Sequence, residues 1–345
     1  MTSLPSEITN EQQLDDLLTT PSPQLVEVMS RLRGNLLVLG AGGKMGPTLA
    51  VRAQRAAEQA GSQVRIIAVS RFSDESSRRW LTDRGVQTES ADLLDRQSLS
   101  QLPEADQVIY LVGTKFGTKQ NPSQTWAINT LVPSYVMERY PQAKFVALST
   151  GNVYPLTPVS SGGPTEADPV GPIGEYANAA VGRERIVEYC SRRHSTPVVI
   201  MRLNYAVDLR YGVLTDIATR IAADEPVDLA NGYLNCIWQG DANDAILRAL
   251  EFAESPPLVL NLTGSDILSV RKIAEQLGQK LNRPVTFTGE EAESALLNNA
   301  SKYHQLLGPP SVSSDQLIDW TAGWIRSNGR LLNKPTHFEV RDGAF

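Results

Sequence analysis

Short apolar segments alternate with amphipathic ones between residues 35 and 203, and this alternation constrains the fold more than any other feature. The apolar runs are nearly continuous and rich in leucine and β-branched residues, as is typical of parallel strands buried on both faces. A β-α-β-α order predicts an α/β protein with a Rossmann-type, doubly wound parallel sheet and right-handed crossovers. The predicted strands cover residues 36–39, 64–69, 108–112, 145–148 and 198–201, and the helices between them include residues 47–60, 129–139 and 176–192.

A glycine-rich segment follows the first predicted strand and precedes the first predicted helix. Gly40, Gly43 and Gly46 lie three residues apart there, with Lys44 and Met45 between the last two. Glycine tolerates the positive φ of a tight strand-to-helix turn and leaves room for a pyrophosphate. The helix N-terminus then offers amides and a partial positive charge to the phosphates. The segment therefore predicts a dinucleotide site formed by these five residues.

The end of the second predicted strand bears on which dinucleotide binds. An acidic residue there accepts hydrogen bonds from the adenosine ribose, whereas a basic residue favours a 2′-phosphate. This strand ends in Ser70 and Arg71, with Asp74 and Glu75 a few residues later. We therefore expect NADP or NAD, with a slight preference for NADP, although Arg71 also fits a solvated surface charge. Asp92 follows a further strand presumed between the runs at 64–69 and 108–112, and it is a candidate contact for the adenine amino group.

The 345-residue length suggests about two domains. Residues 1–34 are predicted to form a helical N-terminal extension and residues 35–203 the dinucleotide-binding domain. Residues 204–345 are predicted to form a smaller, mixed α+β substrate-side domain and a tail, with residues 235–265 returning to the first domain. From residue 334 the tail is polar and without periodicity, so we expect it on the surface, with closure of residues 335–338 over a cleft as the alternative.

Composition narrows the class of protein. The net charge of −6 argues against a general nucleic-acid or anionic-membrane binder. Cys190 and Cys236 are too few for a disulfide scaffold, and no apolar run approaches the ~20 residues of a membrane span. The acidic N-terminus does not resemble a signal peptide. His194, His304 and His337 are scattered singly, so no metal site is predicted. We expect a cytoplasmic protein with a small-molecule substrate.

With several further residues, the chain resembles the extended short-chain dehydrogenase/reductase superfamily, and within it the NAD-dependent epimerase/dehydratase family. The resemblance covers about residues 35–285. It implies that Thr150 orients the reacting oxygen, that Tyr176 transfers the proton, and that a homodimer forms through the helices near Asn129 and Tyr176. It rests on the glycine segment, Asp92, Asn129, the sequence Leu-Ser-Thr-Gly-Asn-Val-Tyr at 148–154, Tyr176 and Glu184.

The chain departs from the family pattern at position 180. The family has a lysine four residues after the tyrosine, on the same helix face, and this chain has Ala180. A lysine there lowers the pKa of the tyrosine, whose ordinary value near ~10 leaves little phenolate at pH 7. Another cation is needed to replace it. The sequence does not place any of the candidates, which are Lys44, Lys115, Lys119, Arg183 and Arg202.

A second departure bears on the reaction. Sugar-nucleotide dehydratases of this superfamily have two carboxyl groups where this chain has Gly151 and Asn152. Neither residue can act as an acid or a base, so dehydration and decarboxylation become less favoured than carbonyl/alcohol redox chemistry or epimerisation. Glu166, Asp168 and Glu175 flank the loop before Tyr176 and are alternative acids or bases, although such loop carboxylates also fit a solvated surface. Asn152, Asn204 and Arg210 are weak candidates for substrate contacts.

Two functions remain open. The first is an NAD(P)-dependent oxidoreductase or epimerase that acts on a sugar, sugar nucleotide or polyol by hydride transfer. The second is a catalytically impaired dinucleotide-binding sensor or partner protein of the same fold. Thr150 and Tyr176 favour the enzyme, whereas Ala180 favours the sensor.

Overall fold

The computed structural model describes residues 4–115, 117 and 120–343. Its strands are β1 (Asn35–Leu39), β2 (Arg65–Ser70), β3 (Gln87–Ser90), β4 (Gln107–Tyr110), β5 (Lys144–Thr150), β6 (Thr157–Pro158), β7 (Val198–Leu203), β8 (Ala206–Val207), β9 (Val227–Asp228), β10 (Tyr233–Leu234), β11 (Ile237–Trp238), β12 (Leu258–Leu262), β13 (Leu268–Ser269), β14 (Phe287–Thr288) and β15 (Ser294–Ala295).

Helices flank and connect these strands. They are α1 (Glu11–Thr19), α2 (Pro23–Arg31), α3 (Gly46–Gln59), α4 (Glu75–Thr82), α5 (Arg96–Ser100), α6 (Pro122–Trp126), α7 (Val132–Arg139), α8 (Gly174–His194), α9 (Val213–Ala222), α10 (Gln239–Arg248), α11 (Val270–Leu281), α12 (Ser301–Leu307) and α13 (Ser314–Arg326). A π-helical turn, Ala127–Leu131, leads into α7, and 3-10 turns cover Gly151–Val153, Val159–Ser161 and Ala249–Phe252.

In the described part of the chain, seven strands form one parallel sheet in the order β12-β7-β5-β4-β1-β2-β3. This sheet with helices on both faces confirms the predicted α/β, Rossmann-type fold. The strand order reverses between β1 and β4, where the two following segments leave in opposite directions. Ligands of such sheets bind in the crevice at the carboxyl ends of those strands. The glycine segment after β1 opens at this crevice.

The two faces of the sheet bury different cores. All residues of β1 are buried, so the strand reads as a continuous apolar run. One face packs against α3, whose alanines let the helix approach the sheet closely. The other face packs against α7 and α8. The carboxyl ends of the strands are thereby held rigidly against the beginnings of the helices that follow them.

The N-terminal extension contains α1 and α2, which pack on α3 and α10. Asn10 caps α1 and Ser22 caps α2 through their side-chain oxygens. Arg52 of α3 is buried and donates to Leu18 O at 3.1 Å and to Asp244 Oδ1 at 2.8 Å. The extension is thus bonded to both parts of the chain.

A second apolar core lies in the C-terminal part, around α9, α11 and α13. Trp238 and Trp320 meet edge to face there, with ring centroids 5.4 Å apart. Two segments of this half join the large sheet, since β12 pairs with β7 and α10 packs against α3. Helix α11 begins at Val270, directly after the two residues of β13.

The expectation of a surface tail was wrong. Residues 331–343, here called the C-terminal strap, run back across the molecule, and Thr336 and Phe338 are 3 % and 2 % exposed. The Phe338 carbonyl accepts a hydrogen bond from Asn231 Nδ2 at 2.9 Å. Polar residues without periodicity are buried here because they bond to groups far away in sequence.

No helix among the described residues is long and apolar enough to cross a bilayer.

Candidate active site

The glycine segment forms a tight turn between β1 and α3. Gly40 has φ +86°, and its amide donates to Val69 O at 2.9 Å. A Cβ atom on Gly42 would lie 2.6 Å from Ser70 Oγ, and one on Gly46 would lie 2.5 Å from Ala41 O. Helix α3 begins without a side-chain cap, so its first amides are left to another acceptor. These features fit a dinucleotide pyrophosphate.

Lys44 lies beside this turn, above an aromatic ring of the substrate side. Its Nζ atom is 3.4 Å from the centre of the Tyr211 ring. Burial, together with the positive charges of Lys115 and Lys334, lowers the pKa of Lys44 to about 7. Burial also lowers the pKa of Lys115 to about 8. These two partly desolvated lysines flank the crevice, and an anionic ligand bound in the crevice would stabilise their charged forms.

The predicted adenosine contacts lie at the far end of the same edge. Ser70 is the last residue of β2, and Arg71 follows it with an exposed side chain. Asp92 is exposed after β3, and its Oδ1 accepts from Leu94 N at 3.0 Å. Asp74 caps α4 through the amide of Ser76, so its carboxylate is already engaged. Arg71 is left as the exposed charge nearest the end of β2 in sequence.

Thr150 is the last residue of β5 and is buried. Its hydroxyl donates to Asn152 Oδ1 at 3.0 Å and accepts from Asn152 N at 3.2 Å. These bonds fix the Thr150 hydroxyl at the carboxyl edge of the sheet. Asn152 lies in the 3-10 turn after the strand and is partly exposed, so it also faces this edge.

Tyr176 lies in the first turn of α8, and the 3-10 turn after Thr150 packs against this helix. The ring of Tyr176 is partly exposed. It is close enough to Tyr211 for its charge to contribute to the raised pKa of that phenol, after burial and Asp216. Position 180 does not face a void, because Ala180 is fully buried against Val153 and Tyr154.

Behind the site, a buried ion pair ties α8 to the sheet. Arg202 of β7 donates to both oxygens of Glu184, with Nη2 2.7 Å from Oε2 and Nε 3.0 Å from Oε1. Ser149 Oγ donates to Glu184 Oε1 at 2.5 Å, and Arg202 Nη1 donates to the Tyr154 hydroxyl at 2.6 Å. This network holds the end of β5 in register with the helix that carries Tyr176.

The weaker substrate candidates are engaged in the protein itself. Asn204 is 3 % exposed and donates to Asn235 Oδ1 at 2.7 Å. Arg210 pairs with Asp208 at 2.8 Å and with Asp15 at 2.9 Å. Asn204 therefore lies in a buried polar network, and Arg210 fixes the N-terminal extension, while part of it lines the cavity under the strap.

The C-terminal strap packs over α9 and is bonded to Lys115, which follows β4. The amide and hydroxyl of Thr336 both donate to Asp216 Oδ2, at 2.7 Å and 2.6 Å. Lys115 Nζ donates to Thr336 O at 3.4 Å. A cavity of about 300 Å³ lies between α9 and the strap, lined by Tyr211, Asp216 and His337 among others. Burial raises the pKa of Asp216.

The structure distinguishes the cations proposed for the missing lysine. Arg202 is paired with Glu184, Lys44 lies over Tyr211, and Lys115 contacts the strap. Arg183 reaches the end of β4, where its Nη1 donates to Val112 O at 2.9 Å. Lys119 lies outside the described residues. The sequence reasoning missed Tyr211 and Asp216, for which no motif exists.

The profile of the NAD dependent epimerase/dehydratase family matches residues 36–262. The chain belongs to this family. The match ends with the last residue of β12, so the family region spans the whole large sheet, whereas α1, α2 and the strap lie outside it. The predicted resemblance is confirmed. By its description the family is NAD-dependent, which supports a nicotinamide dinucleotide as cofactor.

Solved structures share the fold at low sequence identity. UDP-glucuronic acid 4-epimerase from Bacillus cereus, in complex with NAD, is 18 % identical with a TM-score of 0.69, covering 85 % of this chain and 99 % of its own. UDP-glucose 4-epimerase from Thermotoga maritima, with UDP-glucose, is 18 % identical with a TM-score of 0.68, and the match covers 85 % of this chain and 99 % of the epimerase. dTDP-glucose 4,6-dehydratase from Bacillus anthracis, in complex with NAD, is 17 % identical with a TM-score of 0.72, and the match covers 86 % of this chain and 97 % of the dehydratase.

No curated protein matches the sequence significantly. Among the described residues no group of three or more His, Cys, Asp and Glu side chains is placed to hold a metal ion.

Proposed function

We propose that this member of the epimerase/dehydratase family is an NAD(P)-dependent oxidoreductase or epimerase. Its substrate class is a sugar, sugar nucleotide or polyol. One observation carries the proposal: Thr150 ends β5 and Tyr176 begins α8, so both lie at the strand edge where the Gly40–Gly46 turn opens. That edge is where ligands of such sheets bind.

The chain's own residues have distinct roles in this proposal. The nicotinamide ring, when bound, accepts a hydride from a substrate carbon or returns one. Thr150 orients the substrate oxygen, and its hydroxyl exchanges the bond to Asn152 for one to that oxygen. As the phenolate, Tyr176 takes the substrate hydroxyl proton while the carbonyl forms, and as the neutral phenol it gives a proton back in the reverse direction. The α3 amides and Lys44 bind the pyrophosphate.

Hydride transfer with or without epimerisation fits this site better than dehydration. Elimination of water needs an acid and a base on the substrate, and Gly151 and Asn152 offer neither. The Glu166 carboxylate is engaged in the protein itself, since its Oε1 accepts from Asn261 N at 2.6 Å. Asp168 accepts from the amide and hydroxyl of Thr165. These contacts support simple redox chemistry or epimerisation.

We propose NADP as the preferred dinucleotide, with NAD as the alternative. The support is the exposed Arg71 after β2, together with the engagement of Asp74 in capping α4. A guanidinium there would bind a 2′-phosphate.

The proposed assembly is a cytoplasmic homodimer. Exposed apolar side chains at the start of both helices support the interface: Leu131, just before α7, is 45 % exposed, and Ile173, just before α8, is 39 % exposed. Both cysteines are unpaired and buried, which suits a reducing compartment. Light scattering of the purified chain would reveal a mass near twice that of the monomer.

The second candidate function is a dinucleotide sensor with impaired catalysis. Ala180 favours it, because its methyl group packs in an apolar cluster where a lysine would support the tyrosine. Such a protein would bind NADP and turn over no sugar substrate. Turnover thus separates the two functions, and binding alone does not.

The decisive experiment screens UDP- and dTDP-sugars and free polyols for product formation by chromatography, with NADP and NAD. For any substrate found, Tyr176→Phe should lower kcat by about 10²- to 10⁴-fold. Tyr189→Phe is the matched control on the exposed face of the same helix and should leave turnover unchanged. Unchanged turnover in Tyr176→Phe would remove Tyr176 as the proton donor. Dinucleotide binding without any turnover would favour the sensor.

A further inference from the structure

Three buried polar atoms near the end of β4 lack a hydrogen-bond partner within the part of the chain that the structure describes. They are the hydroxyl of Tyr110, Oδ1 of Asn129 and Nε of Arg183. The three residues are 2 %, 0 % and 5 % exposed. Buried polar groups are almost always paired, so a cluster of unpaired ones points to a missing partner.

This cluster lies in the dinucleotide crevice. Arg183 Nη1 donates to Val112 O at 2.9 Å. A Cβ atom on Gly113 would lie 2.6 Å from that nitrogen and 3.3 Å from Asn129 Oδ1, so only glycine leaves the space between them open. Gly40 abuts the same segment, because a Cβ atom on it would lie 3.1 Å from Val112 N. The cluster and the glycine segment thus share one wall.

The amide of Asn129 has a fixed orientation. Its Nδ2 donates to Thr125 O at 2.9 Å and to Thr114 O at 3.4 Å. Both partners are carbonyl oxygens, so the NH₂ group must point to them and Oδ1 must point away. Asn129 lies in the π-helical turn before α7, an irregularity that is frequent at functional sites.

Arg183 comes from the same helix face as Tyr176. It lies seven residues after Tyr176 and three after Ala180, two turns and one turn along α8. Side chains of a helix lean towards its N-terminus, so a long side chain at 183 extends back towards the turn that carries Tyr176. A side chain at position 183 therefore extends towards the place that position 180 leaves without a cation.

The unpaired atoms select the kind of ligand. Nε of Arg183 is a donor and Oδ1 of Asn129 is an acceptor. A hydroxyl group can satisfy both at once, whereas a phosphate offers acceptors only and would be repelled by Oδ1. The partner that Arg183 does have is a neutral carbonyl rather than a carboxylate, so the buried charge gains from an additional acceptor.

We propose that Arg183 and Asn129 bind a ribose hydroxyl of the dinucleotide, on the nicotinamide side, and so position the reacting ring beside Tyr176. This inference rests on the proposed function in that the chain must bind a dinucleotide. Arg183 is in this view the cation that compensates for Ala180. A purely structural Arg183 would instead serve only to hold the segment after β4 through Val112 O.

The test compares whole and truncated cofactors by calorimetry. NADP carries the nicotinamide ribose, and 2′,5′-ADP lacks it. Arg183→Met should weaken NADP binding about 10- to 100-fold and leave 2′,5′-ADP binding unchanged, while Arg183→Lys should retain part of the affinity. Arg185→Met, whose side chain is exposed on the same helix, is the matched control and should bind both ligands as the wild type does.

Gly113→Ala tests the same site without altering Arg183, because its methyl group would displace the guanidinium. It should reproduce the selective loss of NADP affinity. Equal weakening of NADP and 2′,5′-ADP, or no change in either, would overturn the inference and leave the proposed function standing. A wild-type chain that binds no dinucleotide would overturn both. Thermal denaturation without ligand identifies a variant that fails to fold, and Arg183→Lys then decides the outcome.

Discussion

Glu184 of α8 and Arg202 of β7 form a bidentate ion pair in the interior, with side chains only 7 % exposed each. Helix α8 carries Tyr176 and β7 lies next to β5, which carries Thr150. The pair thus fixes the helix of one proposed catalytic residue against the sheet of the other. Ser149 adds a third group to the same carboxylate.

Breaking this pair should destabilise the protein strongly. Removing one partner leaves a buried charge unpaired, so Arg202→Met should lower the free energy of unfolding by about 3–5 kcal/mol, measured by urea denaturation. Arg192→Met breaks an exposed pair on the same helix, with Glu188, and should cost at most about 1 kcal/mol. Equal effects of the two variants would contradict the assigned importance of the buried pair.

The pH dependence of NAD binding should reveal Lys44. The low pKa of about 7 in the unliganded protein rises when an anion approaches, because the anion favours the charged amine. Binding above pH 7 therefore takes up a proton, and affinity should fall by up to about tenfold per pH unit there. Below pH 7 Lys44 is charged in both states and the dependence on it disappears.

Calorimetry in two buffers of different ionisation enthalpy at pH 8 measures this proton directly. NAD is the suitable ligand, since its pyrophosphate does not titrate in this range. Lys44→Met should reduce the uptake. If the wild type and Lys44→Met take up the same number of protons, Lys44 does not meet the phosphates.

Arg71 should discriminate between the two dinucleotides. Arg71→Ala should weaken NADP binding by about tenfold, the value of one hydrogen bond to a charged group, and leave NAD binding unchanged. Arg65→Ala, at the opposite end of β2, serves as a control because that end faces away from the crevice. A parallel loss of NADP and NAD affinity would exclude a 2′-phosphate contact at Arg71.

The hydroxyl of Thr150 should matter more than its shape. Thr150→Val keeps the volume and removes the donor, so kcat/KM should fall by about 10²- to 10³-fold. Thr150→Ser keeps the hydroxyl and should retain most of the activity. Similar rates for the serine and valine variants would mean that another group orients the substrate oxygen.

The C-terminal strap should contribute to stability as well as to the site. Phe338 is buried in the core of α9, α11 and α13, so Phe338→Ala should lower the free energy of unfolding by about 3–5 kcal/mol. Tyr189→Ala, at an exposed aromatic position, should change it by less than about 0.5 kcal/mol. Chemical denaturation of both variants measures this difference. A negligible effect of Phe338→Ala would mean that the Phe338 side chain is not buried in this core.

Local patterns were sufficient for five of the seven strands described in the large sheet, β1, β2, β4, β5 and β7, and for the glycine turn. The continuous apolar run of β1 and the glycines after it leave few alternatives, because both the burial and the turn are decided within ten residues. The strap could not be predicted this way. Thr336 and Phe338 are buried by Asp216 and Asn231, which lie more than a hundred residues earlier.

The site was predicted in part for the same reason. Thr150 and Tyr176 belong to a recognisable spacing, whereas Tyr211 reaches the crevice from a loop with no motif. The position of Arg183 could be predicted in part, because residues seven apart, such as Tyr176 and Arg183, share a face of a helix. The helix face does not tell which groups the guanidinium at the end of the side chain contacts. Asn204 was predicted as a substrate contact from its place after the strand, but its side-chain amide donates to Asn235 in the interior instead.

The contact between Gly343 and Gly174 has a consequence for synthesis. Each is at positive φ, and a Cβ atom on either would lie within 2.4 Å of backbone atoms of the other's segment. Gly174 is the first residue of α8, and Gly343 lies 343 − 174 = 169 residues later in the sequence. On the ribosome, the helix bearing Tyr176 thus emerges long before this neighbour is made. The nascent protein cannot complete this surface until translation has reached position 343.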